Sequence, residues 1–384
     1  MKNIFNSRFL IILILFMIIF LRSFCTFFLF PIVSIYVLSL KDSTKFLIGL
    51  CLGIYSLFQS ILQIPLGFIS DIVGRKSIII LGLCLFSIGS FFCAFSDSIF
   101  SLLIGRSLQG SGAISSIIVT LLSDLVNKKH NFMVMFFVGV TFGISFISAM
   151  ILSPVIFLNF GFNFIFWLIF IISLVTIILV AYLLPNTKKK DLYTFNSNFI
   201  KIVFYDTKII IINFSIFLLH FLLTFNFLVL PIKLQILGLN LLYHWKLYFY
   251  LLIISSIIVI ILIYFIDIKK YTKTIIISSI VSFFISELIF FNFNNLKIFI
   301  FGIQLFFFSF SILESLLPSL INQLSCKKYK GLTMGIFSTS QFIGSAFGGI
   351  LGGLIINLLG LKFIFILTLL ISFIWFLFII IFYK

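Results

Sequence analysis

Gly67-Phe-Ile-Ser-Asp71-Ile-Val-Gly74-Arg75-Lys76 separates two long apolar runs, near 46–69 and 78–96. Its glycines permit a tight reversal and close approach of the flanking segments. Asp71 can accept from the N–H groups at a helix N-terminus, and Arg75 and Lys76 anchor the turn at an aqueous face. Each flanking run is long enough to cross a hydrocarbon layer of ~30 Å as a helix, which takes about 20 apolar residues. The stretch therefore reads as a short loop between two membrane-spanning helices.

The same alternation continues in both directions. Of 384 residues, 62% are hydrophobic and 9% charged, against about 25% charged in a water-soluble domain. That excludes a soluble fold and leaves little chain for a large extramembrane domain. Clusters of charged, Gly, Asn and Pro residues divide the sequence into twelve expected helices, near 9–38, 46–69, 78–96, 98–123, 134–158, 162–184, 209–236, 246–266, 274–292, 297–325, 333–358 and 361–382. The N-terminal run continues past Ser23-Phe-Cys25 to about Leu38, so it reads as a retained first helix and not as a cleaved leader. The five cysteines form no CxxC pair and no Cys/His group, so neither a disulfide framework nor a metal site is expected.

The longest polar interval, Pro185 to Lys208, contains Lys188, Lys189 and Lys190. It marks a division into an N-terminal six-helix bundle (1–186), a linker (187–208) and a C-terminal six-helix bundle (209–384). Sequence matches at nearly constant offset support two copies of one unit. Pro31 answers Pro231, Asp71 answers Asp267, Gly139 answers Gly335, and Gly161-x-x-Phe164-Ile-Phe recurs as Gly360-x-x-Phe363-Ile-Phe. Two such units around a midplane cavity form an architecture that can rock between access states.

The net charge of +17 follows the loops. Arg75, Lys76, Lys128, Lys129, Lys188, Lys189, Lys190, Lys269, Lys270, Lys327, Lys328 and Lys330 fall on the side that also holds both termini. Lys41, Lys45, Lys233, Lys246, Lys297 and Lys362 fall opposite. The positive-inside rule then places both termini in the cytoplasm, and the charge implies anionic headgroups as partner and no nucleic acid.

The motif after the second helix matches the G-x-x-x-D-x-x-G-R-K signature of the major facilitator superfamily, with Gly67, Asp71, Gly74, Arg75 and Lys76 in place. Ile72 stands where the family usually has Arg, so no charge network through that position is expected. In the fourth helix, Gly105-Arg106-Ser-Leu-Gln109-Gly110-Ser-Gly112-Ala113 resembles the superfamily's R-x-x-Q-G-x-G motif. The fifth helix, with Gly139, Gly143 and Pro154, resembles the antiporter signature of its drug exporters. There Ile144 replaces the expected Pro, and Ile147 and Ser148 replace a Gly-Gly pair. The resemblance implies a two-bundle all-α membrane protein, proton-linked export, an inner-membrane location and no cofactor. A relative in this superfamily carries a cytosolic domain after its twelfth helix; here the sequence reads to Lys384, and no role for such a domain is expected.

Several residues are candidates for the transport pathway. An Arg inside a span costs about 2.5–3.5 kcal/mol on insertion scales, so it should face a cavity or a partner. Arg22 lies about 20 Å from the cytoplasmic start of its helix, and Arg106 about 12 Å from the outer end of its own, which is the start of that helix, at ~1.5 Å per residue. Arg22 is thus placed at a cavity, while Arg106, beside Gln109, either faces one or snorkels. Among the carboxylates, Glu314 on the tenth helix can take and release a proton as water access changes sides, or else pair structurally with an Arg or Gln. Pro318 removes the N–H that would bond the Glu314 carbonyl. Glu287 is expected to reach water near the end of its helix. His220 is either a packing residue or a titrating one.

The eleventh helix carries Gly335, Gly344, Gly348, Gly349, Gly352 and Gly353, spaced for close static packing or for sliding against the other half. Asp71 is expected to dock at its start, near Lys330 and Gly331. No nucleophile–base pair, metal cluster or Walker-type loop is present, so neither an enzyme nor an ATP-driven pump is expected. The leading reading is a monomeric proton-coupled exporter of small organic compounds. An importer of sugars or amino acids on the same fold and a non-transporting degenerate membrane protein are the alternatives.

Overall fold

Apolar segments in a bilayer can satisfy backbone N–H and C=O groups only within the protein, so they fold as helices. The computed structural model describes residues 2–37, 40–126, 131–184, 206–265, 268–325 and 330–382, without the side chains of 2–8, 123–124, 131–133, 135–136, 263–265, 268–270 and 330–332. Residues 187–205 of the expected linker, and Cys326, lie outside the described residues.

Among the described residues, twelve helices are long and apolar enough to cross a membrane. They are Phe9–Phe28, Lys45–Val73, Arg75–Ala94, Ile99–Leu122, Phe137–Phe160, Phe162–Leu183, Thr207–Ile236, Leu241–Leu262, Tyr271–Asn292, Leu296–Leu324, Thr333–Leu358 and Leu361–Phe382, called the first to twelfth spans. Large apolar side chains such as Ile104, Ile171, Ile260 and Ile374 point outward, as a surface that meets lipid requires.

Side-chain caps set several helix starts. Thr44 accepts from the Leu47 N–H at 3.2 Å, Ser98 and Ser101 form a capping box, and Asp206 and Asn295 each accept from two N–H groups of the turn that follows. These contacts occupy donors that the first turn leaves unbonded. Gly161 and Gly360, one of the repeated pairs in the sequence, take φ of 81° and 89° at the fifth–sixth and eleventh–twelfth turns. That backbone conformation favours glycine, which gives the match a structural reason.

Packing follows the same two-fold pattern. The first span packs on the fifth as the seventh packs on the eleventh. The third packs on the fourth and sixth as the ninth packs on the tenth and twelfth, and the second meets the fourth as the eighth meets the tenth. The most extensive contact between the halves is second with eleventh; fifth with eighth, fifth with tenth and fourth with eleventh also cross. The protein is thus an all-α membrane protein of two pseudo-symmetric six-helix bundles.

Three expected helices prove to be interrupted. The run 9–38 stops at Phe28 and resumes as Val33–Tyr36. The run 209–236 stops at Phe227 and resumes as Leu230–Ile236, with Pro231 in its first turn. Proline fits there because the N–H it lacks would be unbonded anyway. The run 98–123 unwinds at Gly112-Ala113-Ile114 between helices Ile99–Ser111 and Ser115–Leu125. At that break the Gly112 backbone lies against the Gly82 carbonyl of the third span, so a side chain at 112 would collide with it.

The second and eleventh spans meet backbone to backbone. A Cβ at Gly49 would fall on Gly349 and Gly353, and one at Gly53 on the Ala346 carbonyl. Ser56, further along the same face, is buried and bonded to Ser345. Overpacking such a contact costs about 1–3 kcal/mol. Gly349→Val is therefore expected to hold the two spans apart while the protein still inserts. In a background with the native cysteines replaced by serine, labelling of Ser56→Cys by a water-soluble maleimide should rise about tenfold or more. Unchanged labelling would show that this contact does not set the closure.

Candidate functional site

The interruption of the fourth span brings its polar residues against the first and second. Arg106 is 1% exposed. Its Nη1 donates to Gln109 Oε1 at 2.9 Å and to Cys25 Sγ at 3.8 Å, and its guanidinium lies 4.5 Å from the Tyr55 ring centroid. Gln109 Nε2 donates in turn to Ser90 Oγ at 2.9 Å. Arg106 therefore does not snorkel; it is buried over an aromatic face, where a weakly hydrated guanidinium gains cation–π attraction. Arg22, 2% exposed, donates from Nη2 to Tyr55 Oη at a long 3.4 Å and stands 5.2 Å from the Phe86 ring. Its Nε and Nη1 have no hydrogen-bond partner.

A second polar cluster belongs to the other half. His220 Nε2 lies 3.0 Å from Glu314 Oε2 and 2.8 Å from Gln341 Nε2, and Gln341 Nε2 also donates to Glu314 Oε1 at 3.3 Å. The tenth helix runs unbroken from Leu296 to Leu324 through Pro318. One ring nitrogen thus has two partners but can serve only one in any protonation state. With a proton on Nε2 it donates to the carboxylate; without one it accepts from the amide. Thr224, one turn beyond His220, contacts Ser345 at 2.9 Å, and Ser56 of the opposite half donates to Ser345 at 3.1 Å.

Between the clusters lies a narrow, partly open cleft. Its walls are Arg22, Ser23, Thr26 and Phe27 of the first span, Tyr55 and Gln59 of the second, Ser115, Phe142, His220, and Gln341, Phe342 and Ser345 of the eleventh. Both halves contribute. Of the candidates from sequence, Arg22 and His220 line this space; Glu314 joins it through His220 and Gln341, and Arg106 and Gln109 sit behind Tyr55.

The loop residues are held separately. Gly74, at φ 112°, lets the second helix end and the third begin without a linker. Asp71 lies 3.6 Å from Arg75, with its side chain 53% exposed and that of Arg75 buried. Lys76 Nζ donates to the Ala181 carbonyl at 2.6 Å, in the last turn of the sixth span, where a cation meets the negative end of the helix dipole. Ser70 Oγ donates to the Gly67 carbonyl at 2.6 Å. The side chains of Lys330 and Gly331, the expected dock for Asp71, are outside those described. Among the glycines, Gly344 and Gly348 abut the Phe217 and Phe221 carbonyls of the seventh span, and nothing lies within 4 Å of a Cβ built at Gly139 or Gly143.

Glu287 does not reach water. It is fully buried, accepting from Asn226 Nδ2 at 2.6 Å and Thr368 Oγ1 at 2.7 Å. The burial follows from the ninth span packing on the twelfth and from the polar end of the first helix of the seventh span. Sequence reading missed this group because its partners are 61 and 81 residues away. The only signal was a carboxylate within an apolar run.

The family model described as Major Facilitator Superfamily matches residues 15–312 and 267–384. The chain belongs to the major facilitator superfamily. It is 37% identical over 341 residues to the inner membrane transport protein YajR of Escherichia coli (strain K12), covering 87% of this chain and 74% of that one. It is 41% identical over 363 residues to an uncharacterized transporter of Buchnera aphidicola subsp. Schizaphis graminum, covering 93% of each. The nucleoside transporter NupG shares the fold, with a TM-score of 0.73 at 13% identity over 97% of this chain and all of the other. As a member of this superfamily the protein has a transporter fold, which takes a small-molecule substrate and sits in a lipid bilayer.

The Glu287 cluster makes a prediction independent of transport. Thr368 has one hydroxyl proton and two acceptors in reach, Glu287 Oε2 and the Phe365 carbonyl at 3.1 Å. Glutamine at 287 would accept from Asn226 and donate to Thr368, freeing the hydroxyl for Phe365. Glu287→Gln should match or exceed the wild-type melting temperature in detergent. Glu287→Leu, which strands the Asn226 amide, should lose about 1–3 kcal/mol. A large loss in Glu287→Gln would show that the negative charge itself is needed.

Proposed function

We propose that the protein is a secondary active transporter that couples proton movement to export of small organic compounds by alternating access. On this reading the halves are 1–186 and 209–384, joined by a cytoplasmic linker at 187–208. The protein sits as a monomer in a bacterial inner membrane with both termini in the cytoplasm. The observation that supports it most is the His220–Glu314–Gln341 cluster on the wall of a cleft shared by both halves. Moving one proton on or off His220 changes which residue it bonds, and Gln341 stands on the helix that touches the opposite half. A proton site coupled to a closing contact is what an antiporter requires. The names of relatives add weight: YajR is an inner membrane transport protein, and Multidrug resistance protein MdtL of Escherichia coli is 32% identical over 125 residues.

The test is reconstitution in liposomes with an imposed pH gradient and a panel of organic cations, acids and neutral aromatics. Wild-type protein should accumulate a substrate against its gradient in exchange for protons, and Glu314→Gln should reduce that accumulation about tenfold or more while leaving substrate binding measurable. Unchanged gradient-driven flux in Glu314→Gln would remove this cluster from the coupling. Flux of substrate and protons in the same direction would identify an importer.

The Gly67–Lys76 loop is proposed as the gating element. Asp71 is half-exposed and reaches only as far as Arg75 here, which leaves its carboxylate free to meet a helix N-terminus in another access state. Asp71→Asn is expected to slow transport several-fold with undiminished protein in the membrane. Full transport by a well-expressed variant would exclude the gate.

A further inference from the structure

We propose that the cleft binds organic anions, with Arg22 receiving the carboxylate of an aromatic acid; this rests on the reading of the cleft as the cargo site. A guanidinium stays charged in a protein and offers five N–H donors. At Arg22 two of the three nitrogens have no partner although the residue is 2% exposed, and the third makes only the long contact to Tyr55. The Phe86 ring at 5.2 Å is a partial counterweight.

The surroundings add positive charge instead of cancelling it. Arg106, on the far side of Tyr55, is paired only with neutral groups, Gln109 and Cys25. Among the described residues no carboxylate forms an ion pair with either arginine. The carboxyls inside spans are engaged elsewhere, Glu314 with His220 and Gln341, Glu287 with Asn226 and Thr368, and Asp71 with Arg75.

A buried cation without a counter-charge is costly unless an anion completes the site, and bonds from guanidinium to carboxylate are among the strongest hydrogen bonds. Room for the arginine head comes from Gly112, where a Cβ would stand 3.2 Å from Arg22 Nη1. The body of the ligand is indicated by the rest of the lining. Phe27, Tyr55, Phe142 and Phe342 line the same cleft among Ser, Thr, Gln and His side chains. Aromatic side chains and hydrogen-bonding groups around one unspent cation fit a small aromatic carboxylate better than an inorganic ion or an aliphatic neutral solute.

The test uses the purified full-length protein in detergent, without a gradient, and the matched pair 1-naphthoate and 1-naphthamide. Naphthoate should bind at least about tenfold more tightly than the amide, and benzoate should displace it where chloride and inorganic phosphate do not. In Arg22→Gln the preference for acid over amide should fall to near unity. The same variant without ligand should unfold at or above the wild-type temperature, because it removes an uncompensated charge; a merely structural arginine would give the opposite result. Equal binding of acid and amide by wild-type protein, binding of neither, or displacement by chloride or phosphate as effective as by benzoate would each overturn the proposal. The wild-type comparison decides it even if the variant fails to fold. A protein that prefers the acid but shows no proton-driven flux keeps the anion site and loses the coupled-export reading, and proton-driven flux of neutral compounds without acid preference gives the reverse.

Discussion

The contact between the second and eleventh spans governs how the two halves meet. Gly49, Gly53, Gly349 and Gly353 let two helix backbones touch. In lipid, where apolar side chains gain nothing by leaving one hydrocarbon for another, such close approach is a main source of helix association. The contact also defines the cleft. The helices that close together at the glycines carry Tyr55 and Gln59, and Gln341, Phe342 and Ser345, on the walls of the cavity. Closure at one level and a lined space at the next are consequences of the same pair of helices.

Polar groups are divided unequally between the halves. Beside the cleft the N-terminal half buries the guanidinium groups of Arg22 and Arg106 and surrounds them with Tyr, Gln, Ser and Cys. The C-terminal half holds a buried carboxyl, Glu287, bonded to Asn and Thr, and a part-buried one, Glu314, bonded to His and Gln. Arg22 of one half and His220 of the other line the same cleft, and among the described residues neither Arg22 nor Arg106 forms an ion pair with a carboxylate. Direct pairing of Arg22 with Glu314 would lock the halves together, since breaking a buried ion pair is expensive. On the proposed reading, keeping the charges apart leaves the cleft free to admit a solute and the halves free to move.

The sequence was most legible where lipid imposes the constraint. Apolar runs of about 20 residues located the spans, and the paired glycines at 161 and 360 marked equivalent turns because both take positive φ. The break at Gly112-Ala113-Ile114 was not legible, since two of its three residues are at home in a helix and the group packed against it, the Gly82 carbonyl, lies 30 residues earlier in the chain. Likewise, His220 and Glu314 are 94 residues apart, and nothing local to either indicates the other. Arg75 and Lys76 read as a basic anchor, but the tie from Lys76 to Ala181 depends on the third span packing on the sixth. Residue types were visible in sequence; their partners were set by helix packing.

That packing places the site and the closure on one helical stripe. Gln341, Ser345, Gly349 and Gly353 recur every four residues along the eleventh span, and residues at that spacing share a face of an α-helix. Gln341 bonds within the titratable cluster, Ser345 joins Thr224 of its own half to Ser56 of the other, and the glycines make the backbone contact. A helix transmits rotation along its length because its backbone hydrogen bonds resist local twisting. On the proposed reading, a change of partner at His220 acts on the face that meets the second span within about two turns, ~11 Å along the axis. That reading needs no relay of side chains across the protein, because one helix carries both the contact to His220 and the contact between the halves.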